Sequence, residues 1–196
     1  GYNDADVASY LASASSVGIG VVPESWNSAF NGVLQVGTYG VMAGTSGSAQ
    51  FGSNFYYDGA YKRINTNFAS RTYQENGNHV FETAASGSAD SAISFSESMR
   101  ISATGLVGIG TGSPNNLLTL NSNTSNTAMT IQSSDTGGSA VVFGDQSDFS
   151  RGRIIYNNSD DSMSFETNNL SEAMRIDDQQ RVLLGYTDSV GAGGHN

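Results

Sequence analysis

The chain has 196 residues, with 8 Lys+Arg against 18 Asp+Glu, a formal net charge of −10 and only 13% charged residues, against about 25% in an average soluble domain. One Lys and seven Arg cannot neutralise a run of phosphates, which excludes nucleic acid as a partner. No apolar run approaches the roughly 18 residues of a membrane-spanning helix, and the absence of Cys excludes disulfides and thiolate-bound zinc.

In place of charge stand 30 Ser, 24 Gly and 18 Asn, while an aromatic share of 10% separates the chain from disordered sequences. Residues 1–16 read as a lead-in, in which Asp4 or Asp6 caps a helical turn through Val7, Tyr10 and Leu11. The start shows no basic stretch followed by an apolar one, so no signal peptide is expected. Beyond it, short apolar runs separated by Gly, Asn and Ser predict strands, among them Val33–Val36, Met99–Ile101, Met129–Ile131, Val141–Phe143 and Arg153–Tyr156. The fold class is all-β.

The runs recur. Val17-Gly18-Ile19-Gly20 returns as Val107-Gly108-Ile109-Gly110 and, altered, as Val182-Leu183-Leu184-Gly185. Pro23 and Pro114 follow the first two copies, and Phe51-Gly52 matches Phe143-Gly144. Phe81-Glu82-Thr83 matches Phe165-Glu166-Thr167, and Met99-Arg100-Ile101 matches Met174-Arg175-Ile176. Five matches in one order predict two tandem copies of a short-stranded β unit, 17–106 and 107–188, with a flexible tail over 189–196. The first copy is longer between its landmarks, so the scaffold is kept while loops vary.

Within the unit, Met99 and Ile101 alternate with Arg100 as a strand with one buried face. Ser102–Gly105 supplies a turn, and Leu106–Gly110 returns. Glycines alternating in a strand make sense where another backbone comes close. Gln180 stands where the first copy has Gly105, and Leu183 where it has Gly108, so the turn and spacing are expected to differ in the second copy. Strands dominated by Ser, Asn and Thr bury little surface in one copy. An obligate oligomer is therefore expected, since an exposed β edge pairs unless symmetry closes it.

Eight aromatics lie between Phe51 and Phe81. Sugar rings stack on aromatic faces while Asp, Asn and Arg bond their hydroxyls, so Trp26, Tyr39, Tyr56, Tyr57, Tyr61, Arg63 and Arg71 form a candidate glycan-receptor set. The alternative, which strand propensity favours, is that the same residues are strand formers packing on a sheet, with Trp26 a plug over a sheet end. Asp160-Asp161 and Asp177-Asp178, with Asp145 and Asp148, read as solvated turn residues rather than cation ligands. Of the two His, His79 opens the His-Val-Phe-Glu-Thr strand and reads as a packing or hydrogen-bonding residue. No nucleophile elbow, HExxH or P-loop is present, so no enzyme activity, metal or cofactor is expected.

The run Val107-Gly108-Ile109-Gly110-Thr111-Gly112-Ser113-Pro114, with Phe165-Glu166-Thr167 and Met174-Arg175-Ile176, resembles the repeat region near the C-terminal end of bacteriophage tail fibres, tailspikes and neck appendages. The resemblance covers residues 17–188. It implies an elongated, intertwined homotrimeric fibre on the virion that binds a host surface receptor, such as a glycan, and contacts other tail proteins, without membrane insertion. It also implies a following self-cleaving intramolecular chaperone of the endosialidase type, Asn196 being either the cleavage end or an arbitrary boundary. A passive fibre shaft without a receptor site and a polysaccharide depolymerase fragment are the alternatives.

Overall fold

The structure, a computed structural model, describes residues 16–122 and 125–185. Among them are sixteen strands and no helix, so the chain is all-β. The predicted helical turn in 1–16 lies outside the described residues save for Ser16, as does the tail over 189–196. The chain divides into two compact units between Thr127 and Ala128. The repeat boundary expected at 106/107 lies in a hairpin of the first unit's sheet, so the compact units and the sequence repeats have different bounds.

The first unit is one open nine-stranded sheet whose strands follow chain order. They are β1 (Ser16–Ile19), β2 (Gly32–Val36), β3 (Gly40–Gly44) and β4 (Ser48–Ser53). After a small ribbon of β5 (Tyr56–Tyr57) and β6 (Tyr61–Lys62) come β7 (Asn67–Glu75), β8 (Asn78–Gly87), β9 (Ser96–Ile101), β10 (Val107–Ile109) and β11 (Leu118–Leu120). Neighbours are antiparallel except at the two ends, where β1 runs parallel to β2 and β10 to β11. Asn76-Gly77 joins β7 to β8 with both φ angles positive, 50° and 78°, the conformation that matches strand twist in a two-residue hairpin.

The parallel ends explain the alternating glycines. A Cβ on Gly18 would collide with the Val21 carbonyl oxygen, and one on Gly108 with that of Thr111, because in both copies the chain folds back over the strand towards Pro23 or Pro114. Here the sequence expectation of a close backbone holds.

The core lies on one face of β2, β3, β4, β7 and β8. Val33, Val41 and Ala43 are buried there under Phe30 and Phe55, with Trp26, Tyr57, Tyr61, Ile64, Ile93 and Phe95 packed around them. The segments between strands thus form the second layer, as a one-sided sheet requires.

The second unit is a five-stranded antiparallel meander of β12 (Gly138–Phe143), β13 (Gly152–Asn157), β14 (Ser162–Thr167), β15 (Ser171–Ile176) and β16 (Val182–Leu184). Met129–Ile131, expected as a strand, is not one; it pairs with no other segment, and Met129 and Ile131 are exposed.

Several local features occur in both sheets. A bulge separates Phe81 from Glu82 against β9, and another separates Phe165 from Glu166 against β15. Beyond it Glu82 faces Glu97 across the strands, and Glu166 faces Glu172. Each carboxylate has its own guanidinium: Arg71 and Arg100 in the first sheet, Arg153 and Arg175 in the second, at 2.6–2.7 Å. The expectation of a different turn at Gln180 is overturned. Gly105 and Gln180 have φ of 83° and 62°, and each donates its N–H to the carbonyl three residues back, Ser102 or Asp177. Gln180 simply accepts the left-handed conformation that Gly105 adopts freely.

Candidate binding surface

Six of the seven expected receptor residues serve the interior of the first unit. Trp26 packs edge-on to Phe30 and Phe55, with ring centroids 5.2 and 6.0 Å apart. Tyr57 and Tyr61 meet at 5.0 Å, and Tyr61 also contacts Phe55 and Phe95. Tyr56 is buried and donates its hydroxyl to Asp90 at 2.9 Å. Burial, then the Asp90 carboxylate, push that phenol up to about 12. Arg63 is buried too, and its guanidinium donates to the carbonyl oxygens of Asn67, Ala85 and Ala92 and to the Ser91 hydroxyl. It ties the 63–67 and 85–92 segments together and presents no face to solvent.

Arg71 is held by the Glu82 carboxylate at 2.6 Å and by Gln50 Oε1 at 3.2 Å. Its guanidinium lies over the rings of Tyr61, Phe95 and Tyr73, at 4.2, 4.5 and 4.9 Å from their centroids. Such stacking suits Arg's planar cation. Tyr61, in turn, exchanges hydrogen bonds with the Gln50 amide. Among the described residues, Trp26 Nε1 and Gln35 Nε2 are buried donors without a partner.

Only Tyr39 of the seven is exposed, at 38%. It borders an open concavity of about 500 Å³ with Ser53, Phe68, Ser70 and Thr83. Ser53, Ser70 and Thr83 are cross-strand neighbours on β4, β7 and β8, so their hydroxyls form one floor. Phe68 stands beside it, 67% exposed, where the register shift between Asn67 and Ala69 turns it outward. A hydroxyl floor flanked by two aromatic rings can take a ring stacked edge or face on, with hydrogen bonds beneath. Sequence reading missed Phe68, Ser53, Ser70 and Thr83, since none carries a spacing signal; the bulge places Phe68, and cross-strand register places the three hydroxyls.

The concavity lies on the sheet face opposite the core. Register defines that face by a central row: Val17, Leu34, Met42, Phe51, Thr72, Phe81, Met99, Ile109 and Leu120. The row on one side holds Ser53, Ser70 and Thr83, and the row on the other holds Gln74, His79, Ile101 and Val107. None of these residues is buried, and none is Asp, Glu, Lys or Arg.

The expected solvated acids behave as turn residues. Asp145 accepts bonds from Ser147 and the Asp148 N–H, which with the Arg151 pair hold its carboxyl below the usual range. Asp177 is lowered in the same way by Arg181 and nearby backbone N–H groups. Asp160 caps Ser162 and Asp161 receives the Tyr156 hydroxyl. No group of three or more potential metal ligands lies together among the described residues, and among them no helix is long and apolar enough to cross a membrane.

Compared with known proteins, the chain matches no family model and no curated protein.

Proposed function

We propose that this chain is a structural and adhesive segment of a bacteriophage tail fibre or tailspike. In this reading it stands on the virion exterior as a homotrimer, forms part of the distal fibre, and attaches the particle to a glycan of the bacterial surface. The observation that carries the reading is the shared unit of the two sheets: the same bulge after Phe81 and Phe165, the same Arg–Glu/Glu–Arg arrangement, and the same turn at Gly105 and Gln180. Tandem copies of one β unit, 17–106 and 107–188, give a stem that lengthens by repetition and carries variation in its loops. The resemblance of the repeated motifs to phage fibres supplies the biological setting, including contact with other tail proteins.

In this reading the receptor site moves from the interior aromatics to Tyr39 and Phe68 over the Ser53, Ser70 and Thr83 hydroxyls. Three copies of one weak site on a stiff stem raise avidity without any tight single contact. The passive shaft is the second reading, and it is favoured by the interior placement of Trp26, Tyr56, Tyr57, Tyr61, Arg63 and Arg71.

Competition for phage adsorption by the purified protein tests the proposal. An adhesive segment blocks adsorption and releases no reducing ends from host polysaccharide. A shaft blocks nothing, and a depolymerase fragment releases reducing ends; either result overturns the adhesive reading.

A further inference from the structure

We infer that the uncharged faces of the two sheets are where copies of this chain meet each other. The inference rests on the oligomeric part of the proposed function and assigns the surface that this part leaves open.

In the first sheet the central row is apolar except for Thr72, yet it faces outward: Met42 is 53%, Phe51 60% and Phe81 42% exposed. Every buried residue of that sheet's strands lies on the other face, among them Val33, Val41, Ala43 and Val80.

The second sheet makes the point more sharply, because its burial runs against polarity. Along β14, Ser162, Ser164 and Glu166 are buried, while Met163 and Phe165 between them are not. Across the strands Phe165 lines up with Val141, Ile154, Met174 and Leu184, and no strand residue on this face is buried or charged. A half-buried antiparallel sheet ordinarily turns its apolar residues inward and its polar ones to water. Here the apolar side is the one left open.

The occupant is a second copy, for three reasons. A chain of net charge −10 meets itself at least cost through surfaces that carry no charge. The two faces present the same residues at matching places: Phe81 and Phe165, Met99 and Met174, Ile101 and Ile176, Val107 and Val182. One chain therefore offers its like the same apolar pattern twice. The extent is also large. With the row of Ser53, Ser70 and Thr83 left out, nine strands at about 4.8 Å spacing and two side-chain rows deep give a face of roughly 40 by 14 Å, at the upper end of the exposed patch of an ordinary monomer, and the second sheet adds to it. The inference takes the apolar row, not the hydroxyl-floored concavity at its margin.

The chain has no Cys, so single cysteines report on single places. Met42→Cys and Val141→Cys put a thiol on each face, and Gln146→Cys puts one in an exposed loop. The expected result is a native mass that is a multiple of 20.5 kDa, with Met42→Cys and Val141→Cys reacting with a thiol reagent at least about tenfold more slowly than Gln146→Cys until denaturant is added. A multimeric mass with all three thiols equally reactive overturns the assignment of the faces and leaves the oligomeric reading standing. A folded 20.5 kDa species stable to dilution overturns both. Protection that requires added host polysaccharide or another tail protein assigns the faces to that partner and overturns the inference.

Discussion

Arg71 and Glu82 face each other across β7 and β8 with Nε 2.6 Å from Oε2, and both side chains are only 12% exposed. Three rings lie against the Arg71 cation, and Gln50 binds both Arg71 and Tyr61. Removing the carboxylate leaves a cation in a poorly hydrated place. Glu82→Gln is expected to destabilise the first unit by about 2–3 kcal/mol, read as a lower denaturant midpoint. Asp58→Asn, which breaks the more exposed pair with Lys62, is expected to leave the denaturant midpoint nearly unchanged.

The glycines under the returning chain allow a sharper test. At Gly18 and Gly108 a methyl group would strike a carbonyl oxygen that belongs to the backbone, which cannot swing aside as a side chain can. Gly108→Ala is expected to destabilise by roughly 1–3 kcal/mol or to loosen β10 from β11, seen as faster amide exchange over 107–109 and 118–120. Gly32→Ala, with open space around it, is the control and should leave exchange unchanged.

The paired turns predict a gain as well as a loss. Gln180 holds φ of 62° where Gly105 holds 83°, and only glycine does so without a steric penalty. Gln180→Gly is expected to raise the thermal midpoint of the second unit, by a stabilisation of up to ~1 kcal/mol, and Gly105→Gln to lower that of the first by a similar amount. Equal midpoints for Gln180→Gly and the parent protein would refute the shared turn as a source of strain.

Tyr56 adds an alkaline limb to the stability. Its phenol is pushed up to about 12, first by burial and then by its bond to Asp90, against an ordinary value near 10. The folded state therefore keeps the proton that the unfolded chain gives up. The stabilisation is fully present below about pH 10 and is lost as pH rises from there through about 12. Tyr56→Phe removes a titrating group and should flatten stability over that window, as measured by denaturant unfolding at stepped pH.

Much of this architecture is legible in the residues alone. Short apolar runs between Gly, Asn and Ser mark Val33–Val36, Met99–Ile101, Val141–Phe143 and Arg153–Tyr156 as strands, and all four form. The doubled glycine motif foretells a close backbone at Gly18 and Gly108, where the carbonyls of Val21 and Thr111 lie. What fails has a common cause. Tyr56, Tyr57 and Tyr61 have the same chemistry whether they cover a core or greet a sugar, and the packing of their ribbon against residues distant in sequence decides which. Phe68 becomes conspicuous only through a bulge one position away. Met129–Ile131 alternates like a strand but finds no partner to bond with, and local pattern is blind to that. Gln180 misleads because a turn held by Asp177 at both ends can impose on glutamine a shape the residue would not choose.

The nine-stranded sheet ends on strands of four and three residues, β1 and β11, and both end pairings are parallel. Such stubs offer few free N–H and C=O groups for another sheet to zip onto. Lateral growth into ribbons or amyloid-like stacks is thereby starved at the margins, while the broad surface stays available. For this sheet, edge-to-edge addition, the way β-sheets recruit further strands, is therefore disfavoured.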